Sequence, residues 1–137
     1  MNTFHSTVNS FSRNLTTFFD EQLAEYGLAT SYVELMILMK ENETITQKEV
    51  SEELSLAPST ITRFVEKLQK KGFVEKTRNG REVSINLTAK GHQTADEMHE
   101  SYLAAVETLR QLVGDKYLET TEKLLNYGTS ELSGSKD

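Results

Sequence analysis

Between Thr46 and Leu87 the chain lays out two helices and a hairpin in a fixed order, and few folds can accommodate that order. Thr46-Gln47-Lys48-Glu49 has the form of a capping box, with Glu three residues after Thr. It opens a short helix with Val50 and Leu54 turned inward. Ser55-Leu56-Ala57 makes a turn. Pro58, the only proline, suits the first position of a second helix, where its missing N–H costs nothing. That helix runs to Lys71, and Gly72 ends it. Phe73–Arg78 and Arg81–Leu87 follow as two strands, and Val83, Ile85 and Leu87 alternate with polar residues as a half-buried strand should. Asn79-Gly80 between them is the strongest short hairpin signal.

Short helix, tight turn, second helix and hairpin is the order of a winged helix-turn-helix. The second helix carries two separate faces. At about 100° per residue, Ile61, Phe64, Val65 and Leu68 fall within one arc, while Ser59, Thr60, Arg63, Lys67 and Lys70 fall within another on the far side. The apolar arc buries the helix against its neighbours. The polar arc has what a major-groove reader needs: small hydroxyls near an N-terminus whose N–H groups favour phosphate, and Arg63 to pair bidentately with guanine or grip a phosphate. Lys67 and Lys70, further along, suit backbone contacts. Arg78 and Arg81 flank the expected hairpin tip, placed to enter a minor groove with its strong negative potential. The plain alternative is an ordinary surface hairpin with solvated arginines.

Charge at first argues the other way. The net charge is −6 and the pI about 5.1, whereas a DNA footprint should be basic. The distribution reverses that argument. From Pro58 to Lys90 there are eight cations (Arg63, Lys67, Lys70, Lys71, Lys76, Arg78, Arg81 and Lys90) against three anions (Glu66, Glu75 and Glu82), so the segment carries +5 and the remainder −11. A basic island sits in an acidic body.

The rest of the 137 residues reads as helix, giving a mainly α fold with a small β-hairpin wing. Phe4, Val8, Phe11, Leu15, Phe18 and Phe19 recur at spacings of three and four, an amphipathic helix running to about Tyr26 and stopped by Gly27. Thr30 or Ser31 can cap a central helix, apolar nearly all round, through Met39. Thr88 can cap a long helix from Ala89 to Val113, broken by Gly114 and Asp115. A last helix carries Tyr117, Leu118, Leu124 and Leu125. The expected organisation is one domain over 1–137, with a winged lobe at 30–88, dimerisation helices at 1–27 and 89–132, and a disordered tail at 133–137. The aromatic face of the first helix points to a homodimer. Burying it is worth about 1.5–3 kcal/mol per large side chain, and left open it would be a liability. The plain alternative packs that face within its own subunit.

At this point the sequence resembles the MarR family of regulators. Leu54-Ser55-Leu56-Ala57-Pro58-Ser59-Thr60-Ile61-Thr62-Arg63-Phe64-Val65-Glu66-Lys67-Leu68 looks like that family's recognition segment. Lys71-Gly72-Phe73-Val74, the wing-closing Leu87-Thr88-Ala89-Lys90-Gly91 and the upstream Thr30-Ser31-Tyr32-Val33-Glu34-Leu35-Met36-Ile37-Leu38 fit it too. The resemblance implies a homodimer whose terminal helices intertwine and whose two lobes straddle a pseudo-palindromic operator. It places Ser59, Thr60, Thr62 and Arg63 on the recognition helix and Arg81 at the wing tip. The expected DNA-contacting set is then Gln47, Lys48, Ser59, Thr60, Thr62, Arg63, Lys67, Lys70, Arg78 and Arg81. The wing departs from the family's Asp-Arg-Arg-like run: Asn79-Gly80-Arg81-Glu82 lacks the Asp that would brace the arginine, which leaves Glu82 to substitute. The resemblance also implies an effector pocket between the dimer helices and the lobe, for which Phe11, Phe18, Tyr32 and Met36 are candidates. Plain core packing is the alternative for such side chains.

Other chemistries find less support. His92, Asp96 and His99 sit four and three apart on the long helix, a spacing that can hold zinc. Surface polar residues at such spacing are commonplace, so these three are weak metal candidates and no cofactor is expected. No cysteine is present, which excludes disulfides, thiolate metal sites and thiol oxidation as a signal. No nucleophile motif or phosphate loop is found, so no enzyme is expected. No apolar run approaches the roughly 18 residues of a membrane span, and the N-terminus has no signal-peptide form, so a cytoplasmic location is expected. The expected function is a repressor that binds double-stranded DNA as a homodimer and is released by a small-molecule effector. Two alternatives stay open: a winged-helix protein-interaction module without DNA binding, and a metal-responsive regulator using His92, Asp96 and His99.

Overall fold

The structure is a computed structural model and describes residues 2–134. The helices are α1 (Phe4–Gln22), α2 (Thr30–Glu41), α3 (Gln47–Leu54), α4 (Pro58–Lys70), α5 (Ala89–Val113) and α6 (Asp115–Ser133), and the strands are β1 (Ile45–Thr46), β2 (Val74–Asn79) and β3 (Glu82–Leu87). The chain divides into two compact units, one ending at Tyr102 and the other beginning at Leu103, so the boundary falls within α5. The winged lobe expected at 30–88 lies wholly in the first unit.

Local chemistry accounts for most element boundaries. Thr46 and Glu49 form the expected reciprocal cap of α3: the Thr46 N–H donates to Glu49 Oε1 at 3.0 Å and the Glu49 N–H to Thr46 Oγ1 at 3.1 Å. These contacts with Thr46 hold the Glu49 carboxyl below its usual range. Pro58 opens α4 at its first turn. At the other end Gly72 is left-handed, with φ 81°. The Gly72 N–H reaches Gln69 O and the Phe73 N–H reaches Leu68 O, at 3.0 Å each, which closes α4 as a Schellman motif. Ser55 does the same for α3 at φ 54°, the one non-glycine residue at positive φ among the described residues.

Four details differ from the sequence reading. α1 ends at Gln22 rather than near Tyr26, and a 3-10 turn (Ala24–Tyr26) precedes the left-handed Gly27. The tightened turn buries Leu23 completely. Neither Thr30 nor Ser31 caps α2: Ala29 is the cap residue and has no side-chain bond. The acceptor comes instead from α1, where Asp20 Oδ1 receives the Thr30 N–H at 2.9 Å and the Thr30 hydroxyl at 2.6 Å. The two-residue β1 is too short to show a period in the sequence; it pairs Ile45 with Ile85 and makes a three-stranded antiparallel sheet in the order β1-β3-β2. Finally, Asn79 pairs with Glu82, so the hairpin loop is Gly80-Arg81 and not Asn79-Gly80. Gly80 supplies the positive φ, 68°, at the first loop position, as in a II′ turn.

The core of the first unit joins these pieces. Val33, Leu35 and Met36 of α2, Val50 of α3, Ile61, Val65 and Leu68 of α4 and Ile85 of β3 are all fully buried. The base of the hairpin is fastened to α5. The Thr88 N–H donates to Phe73 O at 3.0 Å, the Thr88 hydroxyl to Gly72 O at 2.6 Å and the Gly91 N–H to Thr88 Oγ1 at 3.0 Å. Lys90 Nζ donates to Lys71 O at 3.1 Å and lies 5.2 Å from the centroid of the Phe73 ring.

In the second unit, Arg110 pairs with Asp115 at 2.8 Å across the break at Gly114, and α6 buries none of its described side chains. Ser133 is the last residue of α6, so the tail expected to be disordered starts too early; residues 135–137 lie outside the described residues.

Gly91 offers a direct test. A Cβ there would collide with Phe73 O, a backbone atom that cannot move without opening the hairpin base. Gly91→Ala should destabilise the first unit by about 1–3 kcal/mol, read as a lower urea midpoint. An unchanged midpoint would show that α5 does not approach β2 this closely.

Candidate nucleic-acid interface

The helix pair is clamped at its open side by two of the expected contact residues. The Thr62 hydroxyl donates to Pro58 O at 3.1 Å and to Gln47 Oε1 at 3.4 Å, tying α4 to the first turn of α3. Lys48, Ser59, Thr62 and Arg63 are placed along this side; these four are exposed, while Gln47 and Thr60 are half-buried. No side chain caps the N-terminus of α4, so its partial positive charge stays available to an anion.

The two faces of α4 separate as the sequence arcs require, with one refinement. Ile61, Val65 and Leu68 are at 0% exposure, whereas Phe64 sits at the rim. Its ring stacks on Tyr32 of α2, with centroids 3.9 Å apart and planes at 18°. Lys67 Nζ lies 5.1 Å from the centre of the same Tyr32 ring, a cation–π contact. Lys67 is therefore partly engaged within the protein, and Arg63 and Lys70 are the freer cations of the face.

On the hairpin, Lys76 pairs across from Ile85 and Arg78 from Val83. Cross-strand partners share a face, so Lys76 and Arg78 prolong the inward side of β2 beyond its buried Val74. Arg81 stands in the loop itself. Arg78 and Arg81 thus do not flank the tip symmetrically: one is on the strand and the other at the apex. Among the described residues, no ion pair uses any cation between Pro58 and Lys90. The +5 of this segment is not neutralised by local acidic side chains.

The effector candidates have different surroundings. Met36 is fully buried core, Tyr32 belongs to the stack under α4, and Phe11 and Phe18 are half-buried on α1. A cavity of about 250 Å³ lies elsewhere in the first unit, lined by Thr16, Phe19 and Asp20 of α1, Thr30 and Glu34 of α2 and Tyr102 of α5, among others. None of the four candidates lines it. Phe19 and Tyr102 stack there with centroids 5.2 Å apart, and the Tyr102 phenol donates to Glu34 Oε2 at 3.0 Å. Apolar periodicity drew attention to the aromatic side chains; the polar residues of this cavity come from three elements and have no shared spacing to find.

The metal candidates are likewise redirected. Lys40 Nζ lies 3.2 Å from Asp96 Oδ1 and 3.0 Å from His99 Nδ1, so an ammonium stands where a metal would be sought. No group of three His, Asp or Glu suited to a metal occurs among the described residues.

Comparison with known proteins agrees with this geometry. Residues 29–83 match the model of the MarR family. The chain is similar to the HTH-type transcriptional regulator SarZ of Staphylococcus epidermidis, 33% identical over 84 residues that cover 58% of this chain and 56% of that protein. A stretch of 63 residues, 46% of the chain, is 30% identical to 30% of the length of a riboflavin kinase of Pyrococcus abyssi. The chain thus spans between about a third and just over half of the length of these relatives. The fold is the MarR winged-helix fold: the structure of a mutant MarR from E. coli, complexed with operator DNA, superimposes with a TM-score of 0.78 at 20% identity, covering 90% of this chain and 91% of that one. No helix among the described residues is long and apolar enough to cross a membrane.

Tyr102 reports on the cavity. Burial first, and then the negative charge of Glu34 and the hydrogen bond to it, push its phenol well above the ordinary tyrosine range. The neutral phenol is the favoured form, so its contribution to stability is complete below the ordinary value of about 10 and is lost as pH rises through the raised value. In an ultraviolet titration Tyr102 should form phenolate well above the ordinary tyrosine range, and Glu34→Gln should bring it forward. If that substitution leaves the titration unmoved, the Tyr102–Glu34 bond is not formed.

Proposed function

We propose that this chain is a MarR-type transcriptional regulator that binds DNA as a homodimer and acts as a repressor in the cytoplasm. The observation that carries the reading is α4. One side of it is completely buried, and the other presents Ser59, Thr62, Arg63 and Lys70 to solvent with no ion-paired acid among the described residues. A face built only for solubility gains nothing from gathering eight cations against three anions in one stretch of an otherwise acidic chain. In this reading α4 enters the major groove, with Arg63 on a base edge or phosphate and Lys70 on the backbone. Lys48 and Gln47 approach the adjacent phosphates, and Arg81 at the wing apex reaches the minor groove. The fold shared with an operator-bound MarR supports this placement.

Dimerisation is supported by apolar surface in both units. Phe4 and Val8 of α1 are exposed, as are Leu124, Leu125, Tyr127 and Leu132 of α6, the last at 89%. Patches of this kind on a small chain mark an interface. A homodimer sets two lobes on half-sites about one helical turn apart, presents the basic island twice, and represses by occluding the promoter. A small molecule in the cavity between α1, α2 and α5 is the proposed releasing signal. The kinase similarity spans under a third of that enzyme, and its chemistry is not carried over.

Selection of bound sequences from a random DNA pool should return a pseudo-palindrome. Against that sequence, Arg63→Ala should weaken binding roughly tenfold to a hundredfold, the worth of one bidentate contact. Lys70→Ala should lower the salt slope of log affinity by about 1 with little change in sequence preference. Unaltered affinity of Arg63→Ala at physiological salt would remove α4 from the interface. Sedimentation at micromolar concentration should give a dimer, and a monomer there would contradict the assembly.

A further inference from the structure

We propose that the cavity between α1, α2 and α5 receives a small organic cation with an apolar or aromatic body, and that its occupancy is transmitted to α4 through the N-terminus of α2. The proposal rests on the regulatory reading above and adds the ligand class and the route.

The charge of the lining sets the class. Asp20 and Glu34 both line the cavity, and no Lys, Arg or His does. Neither carboxylate is in an ion pair among the described residues. Each is held by a hydroxyl on one oxygen, Asp20 Oδ1 by Thr30 and Glu34 Oε2 by Tyr102. Their second oxygens are left for a ligand. The stacked rings of Phe19 and Tyr102 offer an aromatic wall, which favours a cation electrostatically as well as an apolar body. An anion of the same shape would meet two negative charges and no donor of positive charge. The volume of about 250 Å³ suits a small molecule rather than a peptide.

The route follows from who caps α2. Its first turn has no cap of its own, and Asp20 supplies the acceptor for Thr30. A cation that draws the Asp20 carboxylate competes with that bond. Two residues later Tyr32 stacks on Phe64 and faces Lys67, so the start of α2 touches the cavity on one side and the DNA-reading helix on the other. A ligand that prefers a shifted α2 start lowers the population in which α4 is held as seen here.

The test uses phenethylammonium and benzamidinium chlorides, with sodium phenylacetate and benzoate as anions of similar shape at matched ionic strength. Binding is read on the DNA-free protein from the amide resonances of Thr30, Ser31, Glu34 and Tyr102. The cations should shift these amides with dissociation constants near millimolar, as expected for fragments of this size, and the anions should not. Glu34→Gln and Asp20→Asn each keep an acceptor oxygen and remove the charge; each should weaken cation binding about tenfold, the scale of a charged hydrogen bond. The ligand class is overturned if the anions bind at these amides as well as the cations, if neither does, or if both variants bind cations like the parent. The route is overturned if a saturating cation leaves operator affinity unchanged, or if Tyr32→Leu leaves the cation's effect on that affinity intact. Failure of the DNA-binding reading is a separate result, the absence of any selected sequence with or without cation, and leaves the amide measurement standing.

Discussion

The hairpin base is the constraint from which the basic face of the first unit takes its shape. α5 passes so near the residue before β2 that only glycine fits at position 91, directly against the Phe73 carbonyl. Around that approach Thr88 bonds both Phe73 and Gly72, and Lys90 covers the Phe73 ring and bonds Lys71. The residues engaged are the C-terminal cap of α4, the start of the wing and the first turn of α5. A wing can be mobile at its tip and still be useful. Its root must hold a fixed distance from α4 if the two are to contact neighbouring grooves of one duplex.

Within that frame, electrostatics and packing divide α4 between them. The buried side is held by Ile61, Val65 and Leu68, whose burial at about 1.5–3 kcal/mol each outweighs any single surface ion pair. This frees the outer side from a structural task, so its cations need no acidic partners. Lys67 is the intermediate case, drawn toward Tyr32 while still exposed. The acidic remainder of the chain confines the positive charge to the island.

α2 is the shared element of the first unit. Its interior face fills the core through Val33, Leu35 and Met36. Its start is capped by Asp20 from α1, and Tyr32 supports Phe64. Near its end Lys40 lies between Asp96 and His99 of α5. One helix therefore meets the cavity, α4 and α5.

The sequence by itself determined the order of elements, the caps at Thr46 and Thr88, the stop at Gly72, the two arcs of α4 and the basic island. All of these depend on residues close together in the chain, where capping bonds and helical period act. Tertiary structure decided what distant residues do to one another. The cap of α2 comes from Asp20 of α1 rather than from Thr30 or Ser31. β1 exists only because β3 is there to pair with it, and the loop is Gly80-Arg81 because the strand register pairs Asn79 with Glu82. Asp96 and His99 meet an ammonium from α2, and Tyr32 stacks on Phe64 of α4. The cavity is the clearest case. Its carboxylates and aromatic wall come from three helices, and no local pattern could bring Asp20, Glu34 and Tyr102 to one place before the chain had packed.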